Sequence, residues 1–477
     1  MYDVLIVGAG VIGGMLARQL SRYNLSVCML EKENDVAMGA TKANSGIVHG
    51  GYDPEPGTLK AKLNAEGVQK LYDVADEIHA PYRKNGSFVC AFGTPEEEAT
   101  VRKLYERGRI NGIKGLEILT GDEARALEPA LSDKVSLVLN VTNSGIVCPY
   151  ELTVAAIGNA MDNGAELKVG FAVSAVEKTE NGFVAVAENG TRVEGKYLVN
   201  CAGAYSDRVA AMVGDSFFTI IPRAGEYMML DKNEGSRVSH TIFQVPSVEG
   251  KGILVSPTVD GNLLTGPTAS KVADPTCTET TPEGLEAVGR LAAKSVPSVN
   301  FRQVITSFTG VRSSEKNGDF IICPSKTTAG VLHVAAIDSP GLTCCVAIAD
   351  YAIEQLRAMG LVLTEKADFD PVRENPHAFR EMSDEEKDAY IKQHPAYGKI
   401  VCRCETVSEG EIRDAIRRNP PARDIDGVKR RTRSGMGRCQ GGFCMPYVMR
   451  LLSEENGEPM EKITKNGEGS AQLTGKL

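Results

Sequence analysis

The sequence predicts an α/β fold, with a dinucleotide-binding domain at its start and a small cysteine-bearing module near its end. Three observations predict this: an apolar, β-branched run at residues 3–7, a glycine-rich turn directly after it, and four closely spaced cysteines beyond residue 400. Continuous apolar runs are typical of buried parallel strands, and a glycine-rich turn between strand and helix is typical of nucleotide-binding βαβ units.

The glycine-rich turn reads Gly8-Ala-Gly10-Val-Ile-Gly13-Gly14 and leads into a predicted helix that ends near residue 23. Gly8 permits a tight turn, Gly10 lets the backbone approach a pyrophosphate, and Gly13 allows the helix to pack closely. The N–H groups of the first helical turn then face the anion. A purely structural turn is the alternative interpretation.

A second predicted strand, residues 26–30, ends at Glu31, which lies 21 positions after Gly10. An acidic residue near this spacing contacts the ribose in dinucleotide-binding folds. Because the strands, the helix and the acid agree, the sequence predicts dinucleotide binding. The motif alone does not separate FAD from NAD.

Two later strand–turn–helix segments indicate that the nucleotide domain is discontinuous. One is a strand at 196–199 that enters a small-residue turn with Gly203; the other is a strand at 331–336 that enters a turn at 339–343, before a helix over 344–359. The expected nucleotide domain covers about 1–80, 145–215 and 305–362. We expect a second domain over about 81–144 and 216–304. Its β-type runs predict a sheet that covers the first domain.

The amino-acid composition changes after residue 362. Residues 363–397 are charged and contain three prolines, which predicts a linker along the surface. The cysteine module is expected over 398–452. The tail at 453–477 has few bulky apolar residues, and we expect it to be mobile unless it docks.

Composition narrows the class of protein. Of 477 residues, 42% are hydrophobic and 24% charged, as in an ordinary globular protein, and the net charge of −9 disfavours a nucleic-acid binder. The sequence contains no run of 18 apolar residues, so it predicts no transmembrane segment. The first residues read as strand, turn and helix rather than as a signal peptide, so we expect a cytoplasmic protein.

Four cysteines form the strongest chemical motif: a C-x-C pair and then, after 34 residues, a C-x4-C pair, at positions Cys402, Cys404, Cys439 and Cys444. Thiolates at such spacing predict an iron–sulfur centre. A zinc site is the alternative, although zinc sites favour C-x2-C pairs. The other eight cysteines stand among apolar or small residues, and we expect buried free thiols there.

Further motifs carry a resemblance to a known family. They are GAGVIGG at 8–14, NSGIVHGGYDPEPG at 44–57, GKGILVSP at 250–257, GPTA at 266–269 and SPGLT at 339–343. Residues 1–362 resemble the FAD-dependent glycerol-3-phosphate oxidase/dehydrogenase family of the D-amino-acid-oxidase-like superfamily. The resemblance implies a glutathione-reductase-like FAD domain capped by an antiparallel sheet. L-2-hydroxyglutarate dehydrogenases share much of the pattern.

The C-terminal module resembles the bacterioferritin-associated-ferredoxin-like [2Fe–2S] domain, whose four cysteines bind the cluster. The same appendage occurs on anaerobic glycerol-3-phosphate dehydrogenase subunits and on some opine or amino-acid dehydrogenases. The short oxidases of the first family end after the FAD domain. Because this chain departs from them, direct reduction of oxygen is disfavoured.

The resemblance implies oxidation of sn-glycerol 3-phosphate to dihydroxyacetone phosphate by hydride transfer to flavin N5. Electrons would leave through the [2Fe–2S] cluster to a protein acceptor subunit, which leaves room for peripheral membrane association. The alternatives are an L-2-hydroxyglutarate dehydrogenase, an amino-acid or opine dehydrogenase subunit, and a non-catalytic electron-transfer subunit.

His49 is the candidate general base, because a neutral imidazole accepts protons near neutral pH. By resemblance it lies near the isoalloxazine; a covalent link to FAD and a purely structural histidine are the alternatives. Also by resemblance, Lys251 and Arg312 face the substrate and supply the cations that a phosphate dianion requires. Arg223 could add a third charge. For each cation the alternative is a surface ion pair.

The remaining candidates for FAD contacts lie on turns. A helix N-terminus after Ser339 would face the flavin N1–C2=O edge and stabilise negative charge there. By the same resemblance, the FAD-binding residues beyond the first turn and Glu31 are Ser45, Gly46, Gly203, Ser339, Gly341, Leu342 and Thr343.

Overall fold

Two large β-sheets organise the chain in the computed structural model, which describes residues 1–246, 252–473 and 475. The strands are β1 Tyr2–Val7, β2 Val27–Leu30, β3 Ile47–Val48, β4 Tyr82–Arg83, β5 Ser87–Ala91, β6 Leu116–Thr120, β7 Leu137–Val141, β8 Gly145–Val147, β9 Glu166–Lys168, β10 Val173–Thr179, β11 Gly182–Ala187, β12 Arg192–Asn200, β13 Ile221–Leu230, β14 Thr241–Gln244, β15 Leu254–Pro257, β16 Leu263–Gly266, β17 Ser270–Lys271, β18 Val304–Ser314, β19 Ile321–Pro324, β20 Val331–Ala335, β21 Ile400–Cys402 and β22 Val407–Ser408.

Helices cover the sheets and build most of the C-terminal module. They are α1 Val11–Leu20, α2 Leu59–Glu77, α3 Pro95–Ile110, α4 Gly121–Leu127, α5 Pro149–Asp162, α6 Ser206–Met212, α7 Pro282–Ser295, α8 Gly341–Ala358, α9 Ala378–Glu381, α10 Asp384–Gln393, α11 Glu409–Arg417, α12 Ile425–Thr432 and α13 Met445–Asn456.

The first sheet has a parallel centre in the order β9-β2-β1-β12-β20. The β10–β11 hairpin pairs with the first half of β12, and β19 forms the edge beyond β20. Apolar faces of α1, α2, α5 and α8 pack together over this sheet in the largest core. The carboxyl ends of β1 and β20 therefore open towards the same edge, where ligands bind in such sheets.

The second sheet has the order β17-β13-β16-β15-β14-β5-β7-β6, with β18 paired to β13. It is antiparallel apart from the parallel pair β5–β14, so the prediction of a purely antiparallel cap holds except there. The β18 strand corrects one predicted boundary. Residues 305–314 were expected in the nucleotide domain, but nine of them pair with β13, because the cap sheet satisfies their backbone groups.

The C-terminal module is small and mostly helical, as predicted. A short β21–β22 hairpin and helices α11, α12 and α13 enclose an apolar core that includes Val407, Ile412, Val428 and Leu452. Helix α11 begins with a capping box formed by Ser408 and Glu411. Each side chain accepts a hydrogen bond from the backbone N–H of the other residue.

The linker and the tail are more structured than expected. The linker contains the helices α9 and α10, and Arg373 within it is buried against the nucleotide domain. Helix α13 continues to Asn456, past the expected end of the module. The tail docks through Ile463, which is buried in the module core, and through backbone hydrogen bonds from α12 to residues 464 and 465.

Within the described residues, no helix combines the length and the apolar character needed to cross a bilayer. All twelve cysteines are free thiols. Of the eight outside the module, six are buried as expected, whereas Cys277 and Cys323 are half-buried.

Candidate functional site

A cavity of about 2570 Å³ runs from the glycine-rich turn of the nucleotide domain to the inner face of the cap sheet. Predicted site residues that line it are Gly8, Gly10, Glu31, Ser45, His49, Gly203, Arg312, Ser339, Gly341 and Leu342. One cavity thus brings together the predicted nucleotide, base and cation residues.

The glycine turn leaves no room for side chains where the backbone must pass closely. Gly8 has φ +104°, and a Cβ there would lie 2.5 Å from the carbonyl oxygen of Cys201. At Gly13 a Cβ would lie 2.0 Å from the carbonyl oxygen of Gly8. Both positions require glycine, and together they leave an open cradle ahead of α1 that fits a dinucleotide pyrophosphate.

Gly14 serves packing and does not line the cavity. A Cβ at this position would lie 2.6 Å from the side chain of Ile157 on α5, so the glycine lets the two helices approach. Gly46 also lies outside the cavity; its φ is +65°, and a Cβ would lie 2.6 Å from the carbonyl oxygen of Val147. Both residues shape the site from behind.

Glu31 ends β2 at the cavity wall and is 8% exposed. Its Oε2 accepts a hydrogen bond from the N–H of Ala9 at 2.8 Å, and its Oε1 accepts one from Glu33 at 3.0 Å. Burial raises the pKa of this carboxyl. Since a carboxylate has about four acceptor positions, Glu31 retains capacity for a ribose hydroxyl.

His49 follows β3 and is fixed by its backbone. Its N–H donates to Thr343 Oγ1 at 2.9 Å, and its carbonyl accepts from Asn64 Nδ2 at 3.0 Å. The imidazole Nε2 lies 3.2 Å from Ser339 Oγ, and the ring centroid lies 5.8 Å from that of Phe243 in the cap. The ring is therefore placed between the two domains, with a hydroxyl at one nitrogen.

The turn before α8 presents a helix N-terminus to the cavity through Gly341 and Leu342. The side chain of Thr343 points elsewhere: it is fully buried, and its hydroxyl lies against the backbone of Ile47 and His49. Thr343 thus positions His49, a role that the sequence did not predict.

A row of three cations crosses the cap sheet at the cavity. Arg223 on β13 lies directly opposite Arg312 on β18 and opposite Lys271 on β17. Directly opposite residues share a face of the sheet, and all three line the cavity. Among the described residues, no carboxylate forms an ion pair with any of them. Like charges opposite one another repel, so a bound anion would stabilise the row.

Sequence reasoning missed Lys271 of this row and also Gly225, which makes space for it. Lys271 stands on a strand of two residues, too short for a sequence signal. Gly225 gives space to the row, because a Cβ there would lie 2.7 Å from Arg312 Nη2 and 2.8 Å from Pro267. The predicted Lys251 lies outside the described residues.

The four module cysteines come together at the surface. Cys404 Sγ lies 3.6 Å from Cys439 Sγ, and Cys402 pairs with Cys444 by a side-chain hydrogen bond. Cys402 and Cys444 are buried, whereas Cys404 is exposed. One thiol of each pair comes from the hairpin and the other from the loop before α13.

The pKa of Cys402 and that of Cys439 are lowered, whereas the pKa of Cys404 and that of Cys444 are raised, so two of the four thiols are favoured as thiolates. The hydrogen bond from Cys444 lowers the pKa of Cys402, and backbone N–H groups of Gly435, Glu405 and Cys404 lower it further. Backbone N–H donors around clustered sulfurs are typical of iron–sulfur sites. The residues present therefore fit a cluster held by four thiolates.

Comparison with known proteins identifies the same two parts. The family described as FAD dependent oxidoreductase matches residues 3–355. The family described as BFD-like [2Fe-2S] binding domain matches residues 400–454, which confirms the predicted module.

Similar proteins cover the chain. A glycerol 3-phosphate dehydrogenase of Caloramator mitchellensis is 45% identical over 475 residues, which are 100% of this chain and 98% of that protein. A glycerol 3-phosphate oxidase of Mycoplasma genitalium is 32% identical over 77% of this chain and 97% of its own length. The solved L-α-glycerophosphate oxidase from Mycoplasma pneumoniae with FAD bound has a TM-score of 0.74 and 29% identity, and covers 78% of this chain and 98% of its own.

Proposed function

The chain belongs to the FAD-dependent glycerol-3-phosphate dehydrogenase/oxidase family and carries a BFD-like [2Fe-2S] binding domain, and on this premise we propose that it oxidises sn-glycerol 3-phosphate to dihydroxyacetone phosphate. One observation supports the substrate assignment: the cationic row of Arg312, Arg223 and Lys271 lines the same cavity as His49. A phosphate dianion requires cationic side chains, and this row supplies three.

The residues that would hold the cofactors are those whose geometry fits them. Gly8, Gly10, Glu31 and the N-terminus of α8 would hold FAD, and the four module cysteines would hold the cluster. When bound, FAD supplies an acceptor for the hydride from the substrate carbon, and the cluster supplies a one-electron centre.

His49 takes the proton of the substrate hydroxyl in this proposal. Its Nε2 is the atom that faces Ser339, so the Ser339 hydroxyl can orient the imidazole while the substrate approaches. The backbone bonds to Thr343 and Asn64 fix the main chain from which the ring extends. A base held in hydrogen-bonding reach of the hydroxyl meets the geometric requirement of general base catalysis.

Arg312 is half-buried and would bind the phosphate deeper in the cavity than the other two cations, because Gly225 leaves room for its guanidinium against the cap. Arg223 and Lys271 are more exposed and would draw the dianion into the cavity. Lys251, predicted for the same role, remains a prediction.

The cap also places aromatic side chains beside the cavity. Tyr227 stacks on Phe308 with ring centroids 4.8 Å apart, and its hydroxyl lies 3.3 Å from Ser45 Oγ in the nucleotide domain. Phe243 adds an apolar ring beside His49.

The two electrons from each turnover would leave to a protein acceptor, because the module places cysteine thiols at the surface. Twelve free thiols suit a reducing compartment, so we propose a cytoplasmic location. A non-catalytic electron-transfer subunit needs neither a base nor a cationic row, which argues against that alternative.

Anaerobic titration tests the proposal. The flavin absorbance of the purified protein should bleach on addition of glycerol 3-phosphate and should stay unchanged with glycerol at the same concentration. Bleaching by L-2-hydroxyglutarate without bleaching by glycerol 3-phosphate would show that the substrate assignment is wrong.

A further inference from the structure

The sulfur-bearing side of the C-terminal module faces solvent. Cys402 and Cys444 are buried, but Cys404 is exposed and Cys439 is half-buried. The four module cysteines are here called the cysteine nest. The shortest path from this nest to solvent therefore runs through the surface beside Cys404 and Cys439. Any electron acceptor that takes electrons from this nest has to approach there.

Two aromatic side chains stand on that surface. Phe443, between the ligand positions Cys439 and Cys444, is 82% exposed, the highest value for a large apolar side chain among the described residues. Tyr447 lies four residues further on α13 and is 52% exposed. Phe443 stands just before α13 begins at Met445, so the two exposed rings lie close in sequence at the start of that helix, and together they are called the aromatic patch.

The fold does not need this patch for its own core. Helix α13 buries its opposite face through Val448, Met449, Leu451 and Leu452. Exposed aromatic side chains beside a functional centre are typical of protein-binding surfaces, where aromatic residues act as anchors.

The surroundings of the patch are basic. Between residues 399 and 450 the chain has twelve basic and six acidic residues, although the whole chain has a net charge of −9. Arg403 lies between two of the cysteines, Arg438 precedes Cys439, and the Arg450 guanidinium lies 5.3 Å from the Tyr447 ring. All three arginines are exposed.

Ion pairs offset part of this charge, because Arg438 pairs with Asp231 of the cap at 3.1 Å and Arg450 with Glu454 of α13 at 3.6 Å. The Glu405 side chain is 3% exposed and binds Arg433 and Lys232. By contrast, among the described residues no carboxylate pairs with Arg403. The surface presented to an incoming molecule therefore carries two exposed aromatic rings and, beside the cysteines, the positive charge of Arg403.

From this arrangement we propose that Phe443, Tyr447 and Arg403 form the docking surface for an acidic one-electron carrier protein. The inference rests on the proposed function and names the kind of partner that it requires. Oxidation of one substrate hydroxyl yields two electrons and two protons. Two carrier molecules, docking in turn, each gain one electron, and the protons pass to water.

Binding measurements test the surface independently of turnover. The full-length protein with its cofactors is immobilised, and an acidic plant-type [2Fe–2S] ferredoxin is the probe. We expect binding at about 50 mM salt that weakens strongly at about 300 mM, because opposite surface charges are screened. Phe443→Ser and Arg403→Glu should each raise Kd about tenfold, by loss of an anchor and by charge reversal.

Matched variants control for non-specific effects. Arg102→Glu makes the same charge change on α3, and Ile110→Ser removes a 72% exposed apolar side chain from the end of that helix. Both should leave Kd unchanged. All four variants should retain iron and should bleach with glycerol 3-phosphate at the wild-type rate.

Several results would overturn the docking surface. They are no binding of the carrier at low salt, equal Kd for Phe443→Ser and Ile110→Ser, a Phe443-dependent binding to anionic vesicles in place of the carrier, or self-association that Phe443→Ser abolishes. If the carrier binds as expected but glycerol 3-phosphate does not bleach the flavin, the surface stands and the proposed substrate falls.

Discussion

Asp35 and Arg431 are 396 positions apart in the sequence and meet in a buried two-point ion pair. Arg431 Nη1 donates to Asp35 Oδ2 at 2.8 Å and Nη2 to Oδ1 at 2.7 Å; Arg430 adds a third bond at 2.6 Å. Asp35 lies in the loop after Glu31, which lines the FAD cavity. The cysteine module is thus fastened to the wall of the nucleotide site.

Removal of the acidic partner should loosen this junction. We expect Asp35→Asn to destabilise the module by about 3–5 kcal/mol, because it leaves two buried guanidinium groups without their counter-charge. The first transition of thermal unfolding measures the effect. Glu177→Gln, which breaks the exposed pair with Arg192, is the control and should cost at most about 1 kcal/mol. Equal shifts for both variants would show that the buried pair holds nothing.

Acid should weaken the same junction. Burial raises the pKa of Asp35, but the charges and hydrogen bonds of Arg431 and Arg430 outweigh burial, so the pKa lies well below its ordinary value. A depressed carboxyl pKa stabilises the folded state above the unfolded value of about 4, and this stability is lost as the pH falls further. Unfolding profiles of wild type and Asp35→Asn should therefore begin to approach each other below about pH 4 and continue to do so as the pH falls towards the folded-state pKa. Curves that stay parallel down to low pH would contradict this.

Local signals in the sequence were sufficient for the nucleotide site and the cysteine module. Gly8 and Gly13 occupy positions where a Cβ has no space, and such requirements act over a few residues. Long-range pairing carries no comparable signal. The contact between Arg223 and Arg312 depends on the register of two strands separated by some eighty residues, and the strand that carries Arg312 was expected in the other domain.

The contact between the nucleotide domain and the cysteine module also could not be predicted from the sequence. Arg430 and Arg431 read as part of a basic run that could as well have been solvated, and Asp35 as one acid in a loop. Only the fold shows that these three side chains are buried together.

The cationic row should control the affinity for the phosphate. We expect Arg223→Gln and Lys271→Gln each to raise KM for glycerol 3-phosphate about three- to tenfold, a modest change because both side chains are exposed. Their kcat should change much less. Arg290→Gln on α7, which does not line the cavity, is the charge-matched control. An unchanged KM in both cavity variants would place the phosphate elsewhere.

Loss of the imidazole should stop proton removal. His49→Gln should lower the rate of anaerobic flavin reduction about 10²- to 10⁴-fold, the usual contribution of a general base, with little change in flavin content. Ser339→Ala should give a smaller loss, since Ser339 only orients the ring. Stopped-flow absorbance measures both.

Acid precipitation separates the second role considered for His49. If FAD is not covalently attached, wild type and His49→Gln should both release all of it into the supernatant. Retention of yellow colour in the wild-type pellet, and its loss in the variant, would identify His49 as an attachment point instead of a base.

Cys439 should be needed for electron exit and not for substrate oxidation. Because Cys439 lies 3.6 Å from Cys404 in the surface pair, Cys439→Ser removes one of four thiolates from the nest. We expect wild type to contain about two irons and two acid-labile sulfides per chain. The variant should lose them, should reduce its flavin with glycerol 3-phosphate at the wild-type rate, and should fail to reduce the ferredoxin.

Cys277→Ser, a half-buried thiol outside the module, is the control and should change neither iron content nor electron transfer. Stoichiometric zinc in wild type would refute the iron–sulfur assignment, and an equal loss of both reactions in Cys439→Ser would show that the module mainly supports the fold.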